Sequence, residues 1–193
     1  MDTWNEDVIK DAYRDPPYEP ERAYPVYAAS KTLAEKEAWK FVEEEKPSFV
    51  LNTVLPNLNF GKTLDLANQA HPSTSGLIVE LLNGNPTPLH GLPAQYFVDV
   101  EDTALLHVAT AIHPFVSHER VFAFAEPING DTLLATLRKL YPERKLPANF
   151  QSAVDRSVIK PRERAEALLR DMGKNGWTSL EESIRLNTLD VMT

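Results

Sequence analysis

No cysteine occurs in the 193 residues. That excludes disulfides, a thiolate nucleophile and any Cys-type zinc site, and it fits a reducing compartment. Glycine is scarce, with seven residues at positions 61, 76, 84, 91, 130, 173 and 176. No three of them make G-x-G-x-x-G or G-x-x-G-x-x-G, so no complete phosphate-cradling turn is present. Gly173 and Gly176 have one suitable spacing, but they fall between helical segments rather than after a strand. The five histidines, at 71, 90, 107, 113 and 118, include no His-x-x-x-His pair and no glutamate at ligand spacing, which argues against a metal. No Gly-x-Ser-x-Gly elbow exists, which disfavours a serine hydrolase. Basic charge is in deficit: the formal net charge is −8, the wrong sign for nucleic acid or an anionic membrane. No uncharged apolar run approaches bilayer length, and the N-terminus lacks a basic region followed by an apolar core. The expectation is a soluble, cytoplasmic protein.

What is abundant is proline, fifteen residues that punctuate the loops. No internal repeat or linker divides the chain, so a single domain is expected over 1–193, in three stretches. Residues 1–26 are polar, with Pro16, Pro17 and Pro20, and read as an extended arm or loop. Residues 27–61 carry a helix over 28–45 and a buried strand over Ser48–Leu55, ended by Pro56. Asn57, Asn59 and Phe60-Gly61 then read as a turn beyond that strand, where open α/β sheets hold ligands. Residues 62–193 carry a polar loop to residue 73, then a helix near 76–83, a strand over 94–98 and a helix from Asp99 to about Ile112. A strand over Val121–Ala125 follows, then a helix from Asn129 or Asp131 to about Tyr141, and terminal helices over 161–172 and 179–189. Helix followed by buried strand predicts an α/β fold with a few-stranded, mainly parallel sheet and flanking helices.

The stretch from Ala23 to Glu45 holds the chemistry. Ala34, Ala38, Phe41 and Val42 fall at i, i+4, i+7 and i+8, the spacing of a buried helical stripe. Tyr27 and Lys31 lie four apart, so phenol and ammonium share one face. An ammonium beside a phenol favours the phenolate, which makes the pair a candidate proton donor and acceptor. The bland alternative is one aromatic and one solvated lysine. Asp99 reads first as a helix N-cap and only second as a catalytic acid.

The sequence Tyr27-Ala-Ala-Ser-Lys31-Thr-Leu-Ala-Glu35-Lys36-Glu-Ala-Trp39 resembles the catalytic helix of the extended short-chain dehydrogenases/reductases, the NAD-dependent epimerase/dehydratase family. The likeness is to the fungal and plant carbonyl reductases related to dihydroflavonol, cinnamoyl-CoA and methylglyoxal reductases. Further matches follow in order: Asp2-Thr3-Trp4-Asn5, Leu55-Pro56 with Phe60-Gly61, Tyr96 to Asp102, and Leu168-Leu169 with Gly173 and Trp177-Thr-Ser-Leu. The family carries Pro after the glycine where this chain has Lys62.

The resemblance implies the C-terminal half of such a reductase, a truncated extended fold without the N-terminal dinucleotide-binding half. It makes Tyr27 the general acid and Lys31 its partner. It places Pro56, Asn57, Asn59, His71, Ser75 and Tyr96 along the substrate pocket. No cofactor site is complete, so NADP is expected only if the other half is supplied. Three readings follow. The first is cofactor-independent acid/base chemistry (isomerisation, dehydration or cyclisation) on a carbonyl-bearing small molecule of secondary metabolism. The second is a reductase fragment needing a separate N-terminal half. The third is a non-catalytic binding or scaffold remnant. A sheet and helix stripped of neighbours predict a homodimer.

Overall fold

The computed structural model describes residues 3–192. Asp2, named in the resemblance above, lies outside the described residues. The chain forms two compact units, Met1–Thr53 with Ser117–Arg120, and Val54–Val116 with Val121–Thr193.

The first unit begins with a helix where an arm was expected. Helix α1 spans Glu6–Tyr13, capped by Asn5, whose side-chain oxygen accepts the Val8 N–H at 3.3 Å. Glu6 and Asp7 in its first turn and Lys10 in its last suit the helix dipole. None of its residues is buried. The local start signals were therefore legible, but no apolar stripe announced the helix. A 3₁₀ turn over Pro20–Arg22 leads directly into α2, Ala23–Glu45, which starts earlier than the expected 28. Pro25 is tolerated because it sits in the first turn, where a backbone N–H has no intrahelical partner. Lys46, at φ 44°, ends the helix by donating its N–H to the Val42 carbonyl, and Pro47 follows.

Polar contacts fasten these pieces. The buried Arg22 donates from Nε and Nη2 to the Ala12 carbonyl at 3.2 and 2.7 Å, and from Nη2 to Arg14 O. The expected buried stripe on α2 is corrected: Ala34 and Phe41 are exposed, Ala38 and Val42 are half-buried, and Ala29 is the one buried residue of the helix. The spacing marked an apolar face correctly, but spacing says nothing about what lies against it.

The expected strand over Ser48–Leu55 shrinks to β1, Thr53–Pro56, leaving Phe49 and Val50 exposed. The presumed turn after Pro56 holds a second strand, β2, Leu58–Phe60. A one-turn helix α3, Leu66–Gln69, precedes α4, Thr74–Leu82. Strand β3, Gln95–Asp99, runs parallel to β2 with Phe60 opposite Asp99. Helix α5, Val100–Ile112, starts as expected at Asp99, whose carboxylate accepts the Glu101 N–H at 2.8 Å. Strand β4, Arg120–Ala123, lies beside β1. The bonds Thr53 N–H to Glu119 O and Asn57 N–H to Ala123 O advance four residues on each strand, as a parallel pair does. Strand β5, Glu126–Ile128, runs antiparallel to β3. Helices α6, Gly130–Leu140, α7, Arg162–Asp171, and α8, Leu180–Thr188, complete a few-stranded, mainly parallel α/β fold. Asn129 and Thr132 form a reciprocal capping box on α6.

The second unit has two apolar cores, one on each face of β3. Phe97 joins Phe60, Ile78, Leu81, Leu133, Leu134, Leu137 and Ile184; Val98 joins Leu106, Val121, Leu168 and Leu169. Successive strand residues point to opposite faces, so one strand feeds both. Each fully buried Leu or Ile contributes about 1.5–3 kcal/mol over its exposed state.

Candidate active site

Within the first unit, α2 carries Tyr27 and Lys31 on its open face. Tyr27 is 61 % exposed. Lys31 Nζ lies 5.6 Å from the Tyr27 ring centroid, and Ser30 Oγ donates to the Tyr27 carbonyl at 2.7 Å. The helix is fastened through Glu35, one turn beyond Lys31. Its carboxylate accepts from Arg120 Nε and Nη2 at 2.8 and 2.9 Å, from Thr53 Oγ1 at 2.7 Å and from Trp39 Nε1 at 3.1 Å. Burial pushes the Glu35 carboxyl up, but the bonds from Arg120, Thr53 and Trp39 outweigh it and hold the group below its ordinary range. Arg120 also stacks over the Trp4 ring at 4.0 Å and donates to Thr3 O at 3.0 Å. These contacts fix the rotation of α2 about its axis, and so the direction in which Tyr27 is presented.

The second unit has its own cavity, about 320 Å³, beyond the C-terminal end of β2. That is where parallel sheets place ligands, and the volume suits a small organic molecule. Gly61 shapes its floor. At φ +120° it adopts backbone that only glycine accepts readily, and a Cβ there would sit 2.6 Å from Asp99 Oδ2. The Gly61 N–H donates to Asn187 Oδ1 at 3.2 Å, and Asn187 Nδ2 donates to Ser75 O at 3.0 Å, tying floor, wall and α8 together. Asp99 is buried, and burial pushes its carboxyl up against the pull of the Ser183 hydroxyl at 2.6 Å and the Glu101 N–H.

Of the residues expected along the pocket, Asn59 and Ser75 line this cavity. Asn59 is fixed by Thr103 Oγ1 donating to its Oδ1 at 2.7 Å, and Ser75 by its hydroxyl donating to Pro72 O at 2.9 Å. His71 stands behind the wall, with Nε2 2.9 Å from Asp190 Oδ2 and Nδ1 3.5 Å from Thr63 Oγ1. Pro56 is exposed at the end of β1, and Asn57 Oδ1 accepts the Leu58 N–H at 2.9 Å. Tyr96 is buried, with its hydroxyl donating to Ser157 O at 2.8 Å, which anchors the loop over 151–160. Neither Pro56, Asn57 nor Tyr96 lines the cavity. Sequence reasoning missed Thr63, Thr74 and Val100, which do. A polar run after a strand-end glycine was the available signal. Among the described residues no group of three or more His, Asp or Glu could hold a metal, and no helix is long and apolar enough to cross a membrane.

A mainly parallel sheet with a ligand-sized cavity at its strand ends in one unit, and a helix carrying Tyr-x-x-x-Lys in the other, are features of an α/β fold. The chain is 42% identical over 185 residues to aldehyde reductase 2 of Sporidiobolus salmonicolor, covering 95% of this chain and 53% of that protein. It is 39% identical over 186 residues to an NAD-dependent epimerase/dehydratase, terH, of Aspergillus terreus, covering 94% and 54%. A solved structure of an engineered reductase superposes with a TM-score of 0.71 at 29% identity, covering 92% of this chain and 55% of that one. No protein-family model matches the chain. The chain belongs to the extended short-chain dehydrogenases/reductases and corresponds to the C-terminal half of one. It spans about half the length of the curated relatives it matches.

Proposed function

We propose that this chain is the proton-handling, substrate-facing half of a carbonyl reductase, completed by a dinucleotide-binding half. The observation that carries the reading is the open Tyr27–Lys31 pair, presented on a helix face whose Ala34 and Phe41 are exposed. The residues present fit one end of a nicotinamide dinucleotide: Lys31 supplies an ammonium for ribose hydroxyls. The pyrophosphate needs a glycine-rich turn, and none of the seven glycines forms one, so that grip falls to the completing half. When bound, the dinucleotide supplies hydride to the carbonyl carbon.

The chain's own work is the proton. Tyr27 donates its hydroxyl proton to the carbonyl oxygen as the carbon becomes tetrahedral, giving an alcohol, and Lys31 steadies the phenoxide left behind. The cavity at Asn59 and Ser75 is assigned to an organic substrate group.

The relatives' names support this reading, since one is an aldehyde reductase. The test is to express the chain alone and together with the N-terminal half of a relative. Ketone reduction with NADPH is expected only for the pair, and Tyr27→Phe should lower its turnover by about 10²–10⁴-fold. A complemented protein that binds NADPH but reduces no carbonyl, or in which Tyr27→Phe is silent, overturns the proposal. A second reading, cofactor-independent isomerisation, dehydration or cyclisation, is favoured by the fact that both proton-handling residues lie in this one chain. It requires turnover by the lone chain without nucleotide, lost in Tyr27→Phe. Homodimerisation through the same helix face is the remaining alternative; sedimentation of the 21.7 kDa chain distinguishes it.

A further inference from the structure

The wall of the cavity contains a hydrogen-bond relay whose polarity is set from behind. Asp190 Oδ2 lies 2.9 Å from His71 Nε2. A carboxylate can only accept, so Nε2 carries the imidazole proton. In the neutral ring Nδ1 is then a bare acceptor, and the group that faces it, at 3.5 Å, is the Thr63 hydroxyl. Thr63 lines the cavity while His71 does not. With its one proton turned toward His71, Thr63 offers the cavity lone pairs only. We infer that Asp190 and His71 are positioning residues that make Thr63 a hydrogen-bond acceptor for the bound ligand, so that the site selects a carbonyl compound bearing a second, donor group: a hydroxy-ketone or hydroxy-aldehyde rather than the simple carbonyl.

The inference rests on the cavity being the substrate site proposed above. A ketone lacking a hydroxyl finds no partner for Thr63, whereas a hydroxy-ketone donates to it. The wall thus discriminates by leaving a polar group unpaired with the wrong ligand. Asp190→Asn makes a sharper test than deletion. An amide can donate to Nε2, which moves the imidazole proton to Nδ1, and Nδ1–H then donates to Thr63. The threonine proton is released toward the cavity, and the wall turns from acceptor to donor.

The experiment uses the full chain at pH 8 with two probes, acetophenone and 2-hydroxyacetophenone, titrated by NMR. The tautomer of His71 is read from its imidazole ¹⁵N shifts. The hydroxylated probe should bind about fivefold more tightly, the worth of one neutral hydrogen bond. Thr63→Val should erase the difference with the fold intact. Asp190→Asn should erase it while switching His71 from the Nε2–H to the Nδ1–H form, a change that a merely structural contact would not produce. Equal binding of the two probes to the unaltered chain, or an Nδ1–H imidazole in it, overturns the relay but leaves the cavity's assignment standing. If neither probe perturbs any cavity residue, the assignment itself fails and the relay with it.

Discussion

Phe97 and Val98, neighbours on β3, disappear into different apolar clusters, whereas α2, twenty-three residues long, buries Ala29 alone. The second unit is held by close-packed side chains on two faces of a sheet. The first is held by polar fastenings: Arg22 on the carbonyls of Ala12 and Arg14, Glu35 on Arg120, Thr53 and Trp39, and Lys36 on Glu6 at 2.8 Å. Tyr24, Val26, Tyr27, Phe41, Phe49 and Val50 remain exposed in that unit. Polar contacts hold α2 in this unit, and large apolar side chains remain exposed beside them. Tyr27 and Lys31 lie among those exposed residues.

The contrast breaks most visibly in the core. Leu137 is fully buried, and Leu137→Ala should cost about 2–5 kcal/mol in a denaturant titration. A cost below 1 kcal/mol would mean that the second unit is no better packed than the first. The corresponding fastening in the first unit is Glu35, whose side chain is 10 % exposed. Glu35→Gln removes the charge facing Arg120 and should cost about 1.5–3 kcal/mol, seen as faster amide exchange along α2. If exchange along α2 is unchanged, the helix is fixed by something other than its polar side.

Two carboxylates, the half-buried Glu35 and the buried Asp99, sharpen the comparison, because they respond to pH with opposite sign. Glu35 is held below its ordinary value near 4.5, so the unfolded chain binds its proton first. Its stabilisation is present above that value and is lost as pH falls through the lower, folded one. Asp99 is pushed above its ordinary value near 3.8, so the folded chain binds its proton first. Its contribution falls as pH rises from 3.8 through the folded value, and protonation favours the fold. Mild acid should therefore loosen α2 while the β3–α5 turn holds. Amide exchange at pH 4 and pH 7 measures both in one experiment, and parallel loss at the two sites would remove the distinction.

Much of the second unit was legible because its signals are local. Asp99 caps α5 from its own backbone neighbourhood, as does Asn129 on α6. The pair Tyr27/Lys31 could be read because one helical turn brings the two together. Strands β2 and β5 could not be read, since three residues carry no period and become strands only beside β3. The cavity wall was half visible for the same reason. Ser75 and Asn59 were named, but His71 reaches Asp190 across 119 positions, a distance that no local pattern encodes. The stripe on α2 misled in a more instructive way. Ala34, Ala38 and Phe41 have the periodicity of a core, yet Ala34 and Phe41 are exposed and Ala38 is only half-buried.

That stripe yields the smallest effect and the finest test. Phe41 is 49 % exposed, so Phe41→Ala in the lone chain should change stability by no more than about 0.5 kcal/mol. Added to the complementing dinucleotide half, the same substitution removes a side chain from a newly covered face and should weaken association by about 1–3 kcal/mol, because a buried aromatic there carries hot-spot energy. The two numbers must differ for the helix to be waiting for cover. An equal, small effect in both states would mean that the completing half never touches this face. A large effect in the lone chain, growing with protein concentration, would mean that a second copy already covers it.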